Sequence, residues 1–141
     1  MDQNLKIRPY LEKDKDGVVA LWEEVFPDNP SHNIPEEDIA RKLKVQRELF
    51  FVAVINGVIM GTAMGGFDGH RGWVYSLAVD KRYRKQGIGK ALMERVEEDL
   101  KAIGCTKLNL QVRSSNTGVV DFYKNLGYSV EDRVSMGKLL I

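Results

Sequence analysis

The chain has 141 residues, of which 43% are hydrophobic and 29% charged, so it can fill the core of one globular domain and leaves no room for a second. Its 21 basic and 20 acidic side chains nearly cancel to a formal charge of +1, which argues against a general nucleic-acid-binding protein. No apolar run approaches the roughly 20 residues of a membrane span, the first ten residues hold no apolar signal-peptide core, and Cys105 has no second cysteine to pair with. We therefore expect a cytoplasmic protein with no nucleic-acid and no membrane partner.

The N-terminal third predicts one strand and two helices. Residues 5–9 read as a short strand, and Asp14 and Asp16 are suited to cap a helix that runs to about Phe26. A loop with three prolines follows over residues 27–35. Pro35 then opens a second helix, because proline is tolerated in a first helical turn and the acids after it suit the positive helix end. Those acids are Glu36, Glu37 and Asp38.

The middle of the chain predicts three antiparallel strands. Residues 49–55 and 58–66 are apolar, β-branched runs, and the Asn56-Gly57 pair between them is a strong signal for a tight hairpin turn. Residues 67–72 form a second turn, and residues 73–79 a third strand.

The last third predicts two helices that each end at a glycine. Residues 87–103 form a long amphipathic helix stopped by Gly104, and residues 116–126 a shorter helix stopped by Gly127. Strands are expected over residues 107–112, 128–130 and 134–140. The element order predicts a mixed α/β fold, with a mostly antiparallel sheet flanked by helices, in a single domain over residues 5–141.

The segment with the clearest chemistry is LAVDKRYRKQGIGKAL, residues 77–92. A strand ends at Val79, a basic turn follows, and Gly87 and Gly89 open the long helix. A helix start offers unpaired N–H groups and a partial positive charge, and glycine allows close approach of the backbone to a bulky anion. The segment therefore predicts a phosphate-binding loop.

Three phosphate-loop patterns compete for this segment. The Walker pattern fails because Arg84 and Ala91 stand where a glycine and a serine or threonine are needed, and the dinucleotide pattern fails because Leu92 replaces its last glycine. The pattern R/Q-x-x-G-x-G/A is satisfied by residues 84–89, RKQGIG. It is the pyrophosphate-binding motif of the GNAT acetyltransferases, which the chain resembles here.

The resemblance to the GNAT family extends over residues 5–141. The LAV before the motif is similar to the family's splayed strand, and Asn116, Tyr123 and Gly127-Tyr128 follow the spacing of its second signature. The GGFDGHRG turn and the closing SMGKLL also resemble the small bacterial YpeA-type acetyltransferases. The resemblance implies the GNAT acyl-CoA N-acyltransferase fold with acetyl-CoA as co-substrate. No metal is implied, because no His, Cys and Asp cluster has ligand spacing.

The resemblance also implies residue roles in cofactor binding. Main-chain N–H groups of the motif would hold the pyrophosphate, at Arg84, Lys85, Gln86, Gly87, Ile88, Gly89 and Lys90. Main-chain groups of Leu77, Ala78 and Val79 would contact the pantetheine arm and the acetyl group, and one of those N–H groups would polarise the thioester carbonyl. Asn116 would bind the cofactor or cap its helix, and both roles are compatible. Tyr123 would be the general acid for the departing thiolate, or else a core-edge aromatic residue.

No general base is evident, although an amine must lose a proton before it attacks. Many relatives place an acid just before the LAV segment, where this chain has Ser76. Asp68 and His70 are candidates, but both also suit a plain turn, and a chain of water molecules is equally open. The 27–35 loop, the three acids after Pro35 and the final strands would form the acceptor side, where the acids favour a cationic acceptor or merely face water.

The leading hypothesis is an N-acetyltransferase that moves the acetyl group from acetyl-CoA to a primary amine of a small molecule or a peptide, by direct attack in a ternary complex. The alternative from another class is a non-catalytic acyl-CoA-binding regulatory module, and a nucleotide-binding protein is a third. Exposed final strands would also make a homodimer possible.

Overall fold

A computed structural model describes residues 4–27 and 34–141, which divide into two compact units, Met1–Leu110 and Gln111–Ile141. Most of the predicted proline-rich loop, residues 28–33, lies outside the described residues. The first unit contains β1 (Lys6–Pro9), α1 (Lys15–Val25), α2 (Pro35–Lys42), β2 (Phe50–Ile55), β3 (Val58–Phe67), β4 (Gly72–Val79), α3 (Ile88–Ala102) and β5 (Leu108–Asn109). Short 3-10 turns lie at Glu12–Asp14, Arg47–Leu49 and Lys81–Tyr83.

The five strands form one sheet in the order β1-β2-β3-β4-β5. The first four pair antiparallel, and β5 runs parallel to β4, because α3 carries the chain back between them. The hairpin turn is where the sequence places it, with φ of 50° at Asn56 and 80° at Gly57. The predicted mixed, mostly antiparallel sheet is therefore confirmed. β5 has only two residues, however, so the predicted strand over residues 107–112 was too long.

Helices cover both faces of the sheet. On one face, apolar side chains of α1 and α2 pack against alternate residues of β2: Val18, Leu21, Trp22 and Ile39 against Phe50, Val52 and Val54. On the other face, α3 buries Leu92, Val96 and Leu100. The approach of α3 is close, since a Cβ at Gly61 would lie 3.0 Å from both the Leu92 Cδ1 and the Ala78 carbonyl oxygen. A glycine at position 61 thus lets α3 lie directly against the centre of the sheet.

The start of α1 differs from the prediction. Asp14 stands at the N-cap position of α1, but its side chain makes no capping hydrogen bond to that helix. Its carboxylate instead accepts hydrogen bonds from Arg8 Nη1 at 2.7 Å, Arg8 Nη2 at 3.0 Å and the Leu11 N–H at 2.8 Å. The predicted cap by Asp14 is therefore wrong, because a bidentate guanidinium is a stronger partner than a helix N–H.

The second unit contains one helix, α4 (Thr117–Asn125). The helix ends as predicted at Gly127, with φ of 97°, and the Tyr128 N–H donates to the Tyr123 carbonyl at 3.0 Å. The predicted strands over residues 128–130 and 134–140 are wrong, since neither segment is a strand in the described chain. Both segments contain apolar residues, but a strand also requires a ladder of hydrogen bonds to a neighbour. Val130, Val134, Met136 and Leu140 are at least 75% exposed.

Candidate functional site

Strand β4 carries a bulge that includes Leu77, the first of the predicted pantetheine-contacting residues. Thr62 pairs with Ala78 and Met64 with Tyr75, so two residues of β4, Ser76 and Leu77, face the single residue between Thr62 and Met64. Ser76 has φ of 53°, which is the left-handed region that a serine seldom adopts. Of the predicted contact residues, Ala78 is buried, and Leu77 and Val79 are half-buried. The bulge breaks the regular strand pairing at this point.

Two buried side chains that the sequence analysis missed hold the bulge. The Thr62 hydroxyl donates to the Ser76 carbonyl at 2.8 Å, and the Trp22 indole Nε1–H donates to the Thr62 hydroxyl, also at 2.8 Å. Thr62 is fully buried and Trp22 is 3% exposed. The signal for this network was a hydroxyl in an otherwise apolar strand, together with a tryptophan on the apolar side of α1, since a buried indole N–H needs an acceptor.

A second residue outside the predicted site, Asp80, organises the basic turn after β4. Its N–H donates to the Met60 carbonyl at 2.8 Å, which anchors the turn to β3. Its carboxylate accepts from the main-chain N–H of Arg82 at 2.9 Å and from that side chain at 3.1 and 2.9 Å. The hydrogen bond from the Arg82 side chain holds the pKa of Asp80 below its ordinary value. Arg82 therefore neutralises Asp80, and the charge of the loop comes from the other basic residues.

The predicted pyrophosphate loop is exposed at residues 84–87 and leads straight into α3, whose first two residues, Ile88 and Gly89, are buried. Lys85 and Gly87 both have positive φ, 64° and 88°, and Gly87 is the N-cap residue. No side chain in the described chain caps this helix start. The main-chain N–H groups of Ile88, Gly89 and Lys90 belong to the first turn, which has no intrahelical acceptors for them. The Arg84 Nε–H donates to the Val79 carbonyl at 3.3 Å, which ties the loop to the end of β4.

The second unit holds the other two predicted site residues. Asn116 is the N-cap of α4, and its side-chain oxygen accepts from the Val119 N–H at 3.4 Å, so the capping role is confirmed. Tyr123 is 8% exposed and makes edge-to-face contacts with Phe122 and Tyr128 at centroid distances of 5.0 and 5.7 Å. Burial raises the pKa of Tyr123 to about 12, so its hydroxyl keeps its proton throughout the physiological range.

The structure favours turn roles for the candidate bases. One carboxylate oxygen of Asp68 accepts from the N–H groups of His70 and Arg71, each at 2.8 Å. The hydrogen bonds from Arg71 and then His70 lower the pKa of Asp68, which makes it a weaker base. The carbonyl oxygen of Ser76, which stands where many relatives carry an acid, already accepts a hydrogen bond from the Thr62 hydroxyl. A dedicated base is not evident among these three residues.

The acids at the start of α2 form a solvated helix face. Glu37 and Asp38 both pair with Arg41, one helical turn further on.

Among residues 4–27 and 34–141 no group of three or more histidine, cysteine or acidic side chains is arranged to hold a metal ion. In the same part of the chain, every helix is too short or too polar to cross a membrane.

Comparison with known proteins identifies the family. The model of the acetyltransferase (GNAT) family matches residues 16–128. An acetyltransferase of Yersinia pestis (strain Pestoides F) is 45% identical over 137 residues, which cover 97% of this chain and 96% of that protein. The chain therefore belongs to the GNAT family and is an acetyltransferase.

Solved structures confirm the fold. The aminoglycoside acetyltransferase AAC(6')-Iy, in complex with the bisubstrate analogue CoA-S-monomethyl-acetylneamine, is 18% identical with a TM-score of 0.82, covering 98% of this chain and 99% of its own. The ribosomal-protein-S18-alanine N-acetyltransferase of Escherichia coli is 26% identical with a TM-score of 0.73, covering 87% of this chain and 76% of its own. The predicted GNAT fold is confirmed, while the resemblance to the YpeA-type members stays a prediction.

Proposed function

We propose that the protein is an acetyl-CoA-dependent N-acetyltransferase that moves the acetyl group to a primary amine of a small molecule or a peptide. The observation that carries the proposal is the continuous segment from the β4 bulge at Ser76 to the uncapped start of α3. Its first part breaks the strand pairing where a thioester could be bound, and its second part leaves N–H groups for an anion. Membership of the acetyltransferase (GNAT) family supports acetyl-CoA as the donor of the acetyl group.

In this proposal the cofactor lies along residues 77–90. The first-turn N–H groups of α3 and the preceding loop hold the pyrophosphate, with positive charge from the exposed Arg84, Lys85 and Lys90. The main chain of residues 77–79 binds the pantetheine arm, and one of its N–H groups polarises the thioester carbonyl. The side-chain amide of Asn116 also hydrogen-bonds the cofactor.

The reaction is a direct transfer. The neutral amine nitrogen attacks the thioester carbon, a C–N bond forms, the C–S bond breaks, and the thiolate of CoA takes up a proton while the amine nitrogen loses one. We assign Tyr123 to the leaving group. A phenol of pKa about 12 is a weaker acid than a thiol of pKa about 8.5, so its hydroxyl acts mainly as a hydrogen-bond donor to the sulfur as charge develops.

We further propose that no side chain is dedicated to deprotonating the acceptor. The kcat/KM should then rise about tenfold per pH unit below the amine pKa, and an α-amino group of pKa about 7.7–8.0 should be favoured over a lysine side chain of about 10.4 at neutral pH. A pH profile in the parent protein and in Asp68→Asn and His70→Gln tests this. A plateau well below the amine pKa that one of these changes removes would identify a base and contradict the proposal.

Two measurements test the proposed function. Thiol release from acetyl-CoA, followed with a panel of peptide N-termini, lysine peptides, polyamines, amino acids and aminoglycosides, should depend on the amine. Calorimetry with CoA should show weaker binding for Lys90→Gln at the start of α3 than for the matched control Lys101→Gln in the last turn of the same helix. CoA binding with no turnover on any amine would favour the regulatory-module alternative, and no CoA binding would contradict both.

Three further statements stay predictions. A cytoplasmic location follows from the single cysteine in the sequence. A single domain over residues 5–141 agrees with a family match that extends past the boundary between the two compact units. The homodimer also stays a prediction, although the final segments on which it was based are not strands in residues 128–140.

A further inference from the structure

The bulge in β4 stores backbone strain that a specific contact must hold. Ser76 has φ of 53°, and a non-glycine residue in the left-handed region is less stable than in the common regions. The Ser76 carbonyl accepts a hydrogen bond from Thr62 Oγ1 at 2.8 Å. Thr62 lies on the neighbouring strand β3 and is fully buried, so no water competes for this carbonyl from its side.

The direction of this hydrogen bond is fixed by Trp22. An indole N–H can only donate, so the Thr62 hydroxyl must accept from Trp22 Nε1, and its own proton is left for the Ser76 carbonyl. The three groups therefore form a one-way chain from α1, through β3, to the bulge of β4. A threonine hydroxyl without Trp22 would be able to rotate and choose another acceptor.

The carbonyl of Ser76 and the N–H of Leu77 belong to one planar trans peptide unit, so they point in opposite directions. A contact that fixes the Ser76 carbonyl toward Thr62 also fixes the Leu77 N–H away from it. We propose that Thr62 and Trp22 are positioning residues that aim the Leu77 N–H at the thioester carbonyl of the bound acetyl group. This inference rests on the proposed function, in which the main chain of residues 77–79 contacts that group.

The test compares variants that remove single hydroxyl or N–H groups. Thr62→Val keeps the shape and removes the hydroxyl, Thr62→Ser keeps the hydroxyl, and Trp22→Phe removes the indole N–H. Loss of one preorganised donor lowers kcat by about 10²–10³-fold, so we expect Thr62→Val to fall by roughly that factor, Trp22→Phe to fall less, and Thr62→Ser to stay near the parent. Thr106→Val, on an exposed threonine of the same unit, is the control for the substitution itself.

A binding measurement separates positioning from general stability. The ratio of the dissociation constants of CoA and acetyl-CoA reports the contact to the acetyl carbonyl, because the rest of the cofactor cancels. In the parent, the contact to the acetyl carbonyl should make the dissociation constant of CoA larger than that of acetyl-CoA, so their ratio exceeds one. In Thr62→Val and Trp22→Phe this ratio should fall toward one, while the affinity for CoA itself stays the same. All measurements are made below the thermal transition of the least stable variant.

Thr62→Val with either the kcat or the affinity ratio of the parent would overturn the inference, as would a folded Thr62→Ser that does not restore both. If Thr62→Val does not fold, the test rests on Trp22→Phe. A kcat and an affinity ratio equal to those of the parent in Trp22→Phe would then overturn the inference. Failure of the proposed function has a different signature, namely a parent protein that binds CoA but turns over no amine, and in that case the affinity ratio still tests the positioning role.

Discussion

Helices α3 and α4 both begin at motifs assigned to cofactor binding, yet their first turns are built differently. The N-cap of α3 is Gly87, with φ of 88° and no capping side chain in the described chain. The N-cap of α4 is Asn116, whose side-chain oxygen accepts from the Val119 N–H. Replacing a good cap by a residue without one costs about 1 kcal/mol in typical helices. The start of α3 forgoes that stabilisation and keeps its N–H groups available for an anion.

The start of α1 shows a third arrangement. Asp14 occupies the N-cap position, but its carboxylate serves Arg8 and the Leu11 N–H instead of the helix. The three starts show that a residue favoured at N-caps does not always cap its own helix. A side chain caps its helix when no stronger partner lies nearby, and a glycine N-cap leaves the first-turn N–H groups without a side-chain partner.

The largest expected effect is a loss of CoA affinity when a carboxylate is placed in the first turn of α3 but not when it is placed in the first turn of α4. Gly89 and Gly118 are both the second residue of their helices. Gly89→Glu should place a carboxylate against the pyrophosphate, and like-charge contact costs several kcal/mol, which corresponds to about a thousandfold in CoA affinity. Gly118→Glu, with open space around its Cβ position, should change CoA affinity by no more than about threefold and slightly stabilise α4.

Calorimetry with CoA and circular dichroism measure this pair of variants. Unchanged CoA affinity in a folded Gly89→Glu variant would show that the start of α3 is not the pyrophosphate site. Equal losses in the two variants would show that both helix starts bind the cofactor phosphates.

The pH dependence of the unfolding free energy in Asp14→Asn tests whether the hydrogen bonds of Asp14 to Arg8 and Leu11 stabilise the start of α1. Burial by itself would raise the pKa of Asp14, but the hydrogen bonds from Arg8 and the Leu11 N–H outweigh it and leave the pKa below its ordinary value. The resulting stability is present above the unfolded pKa of about 3.9 and is lost as the pH falls through the folded pKa. Asp14→Asn should therefore lower the free energy of unfolding by about 1.5–3 kcal/mol at pH 7 and by progressively less below pH 4.

Urea unfolding of the parent and Asp14→Asn at several pH values between 7 and 2.5 measures this difference. Asp121→Asn, on the exposed surface of α4, is the control and should change the unfolding free energy by less than about 0.5 kcal/mol. A cost for Asp14→Asn that stays constant down to pH 2.5 would show that the ion pair with Arg8 is not its source.

Tyr123→Phe examines the buried end of α4. The change keeps the ring and removes only the hydroxyl, so we expect kcat to fall by about 10–100-fold while CoA affinity is nearly kept, because the hydrogen bond forms mainly as the thiolate develops. Tyr128→Phe, which likewise removes only a hydroxyl and keeps the ring packed edge-on against Tyr123, is the matched control and should keep kcat within about twofold. Steady-state kinetics with a good amine substrate decide, and equal kcat in Tyr123→Phe and the parent would return Tyr123 to a purely structural role.

The smallest expected effect concerns the cap of α4. Asn116→Ala should destabilise this helix by about 1 kcal/mol, and Asn116→Ser, which also caps well, should restore most of that stability. If the side-chain amide of Asn116 also binds the cofactor, Asn116→Ser should regain stability without regaining CoA affinity. Thermal unfolding and calorimetry on the two variants separate the roles, and full recovery of both properties in Asn116→Ser would leave only the cap.

The features that could be predicted from the sequence are mostly local. The hairpin turn at Asn56-Gly57, the glycine stops at Gly104 and Gly127 and the bounds of α3 to within one residue follow from backbone preferences and helical periodicity. The RKQGIG motif lies at the start of α3, where the sequence predicted the beginning of the long helix. These features depend on residues close together in the chain, so their physical causes can be read from the sequence.

The tertiary structure decided the features that depend on partners far along the chain. Trp22, Thr62 and Ser76 come from three separate elements, and nothing in their local sequence shows that their hydrogen-bonding groups meet. Residues 134–140 were predicted as a strand, but a strand forms only where a neighbour supplies the other half of each hydrogen bond. The sequence by itself determined the family, the mixed α/β fold class and most element bounds. The bulge and its hydrogen-bond network, the partner of Asp14 and the absence of strands after α4 in the described residues were decided by which groups the fold brings within hydrogen-bond distance.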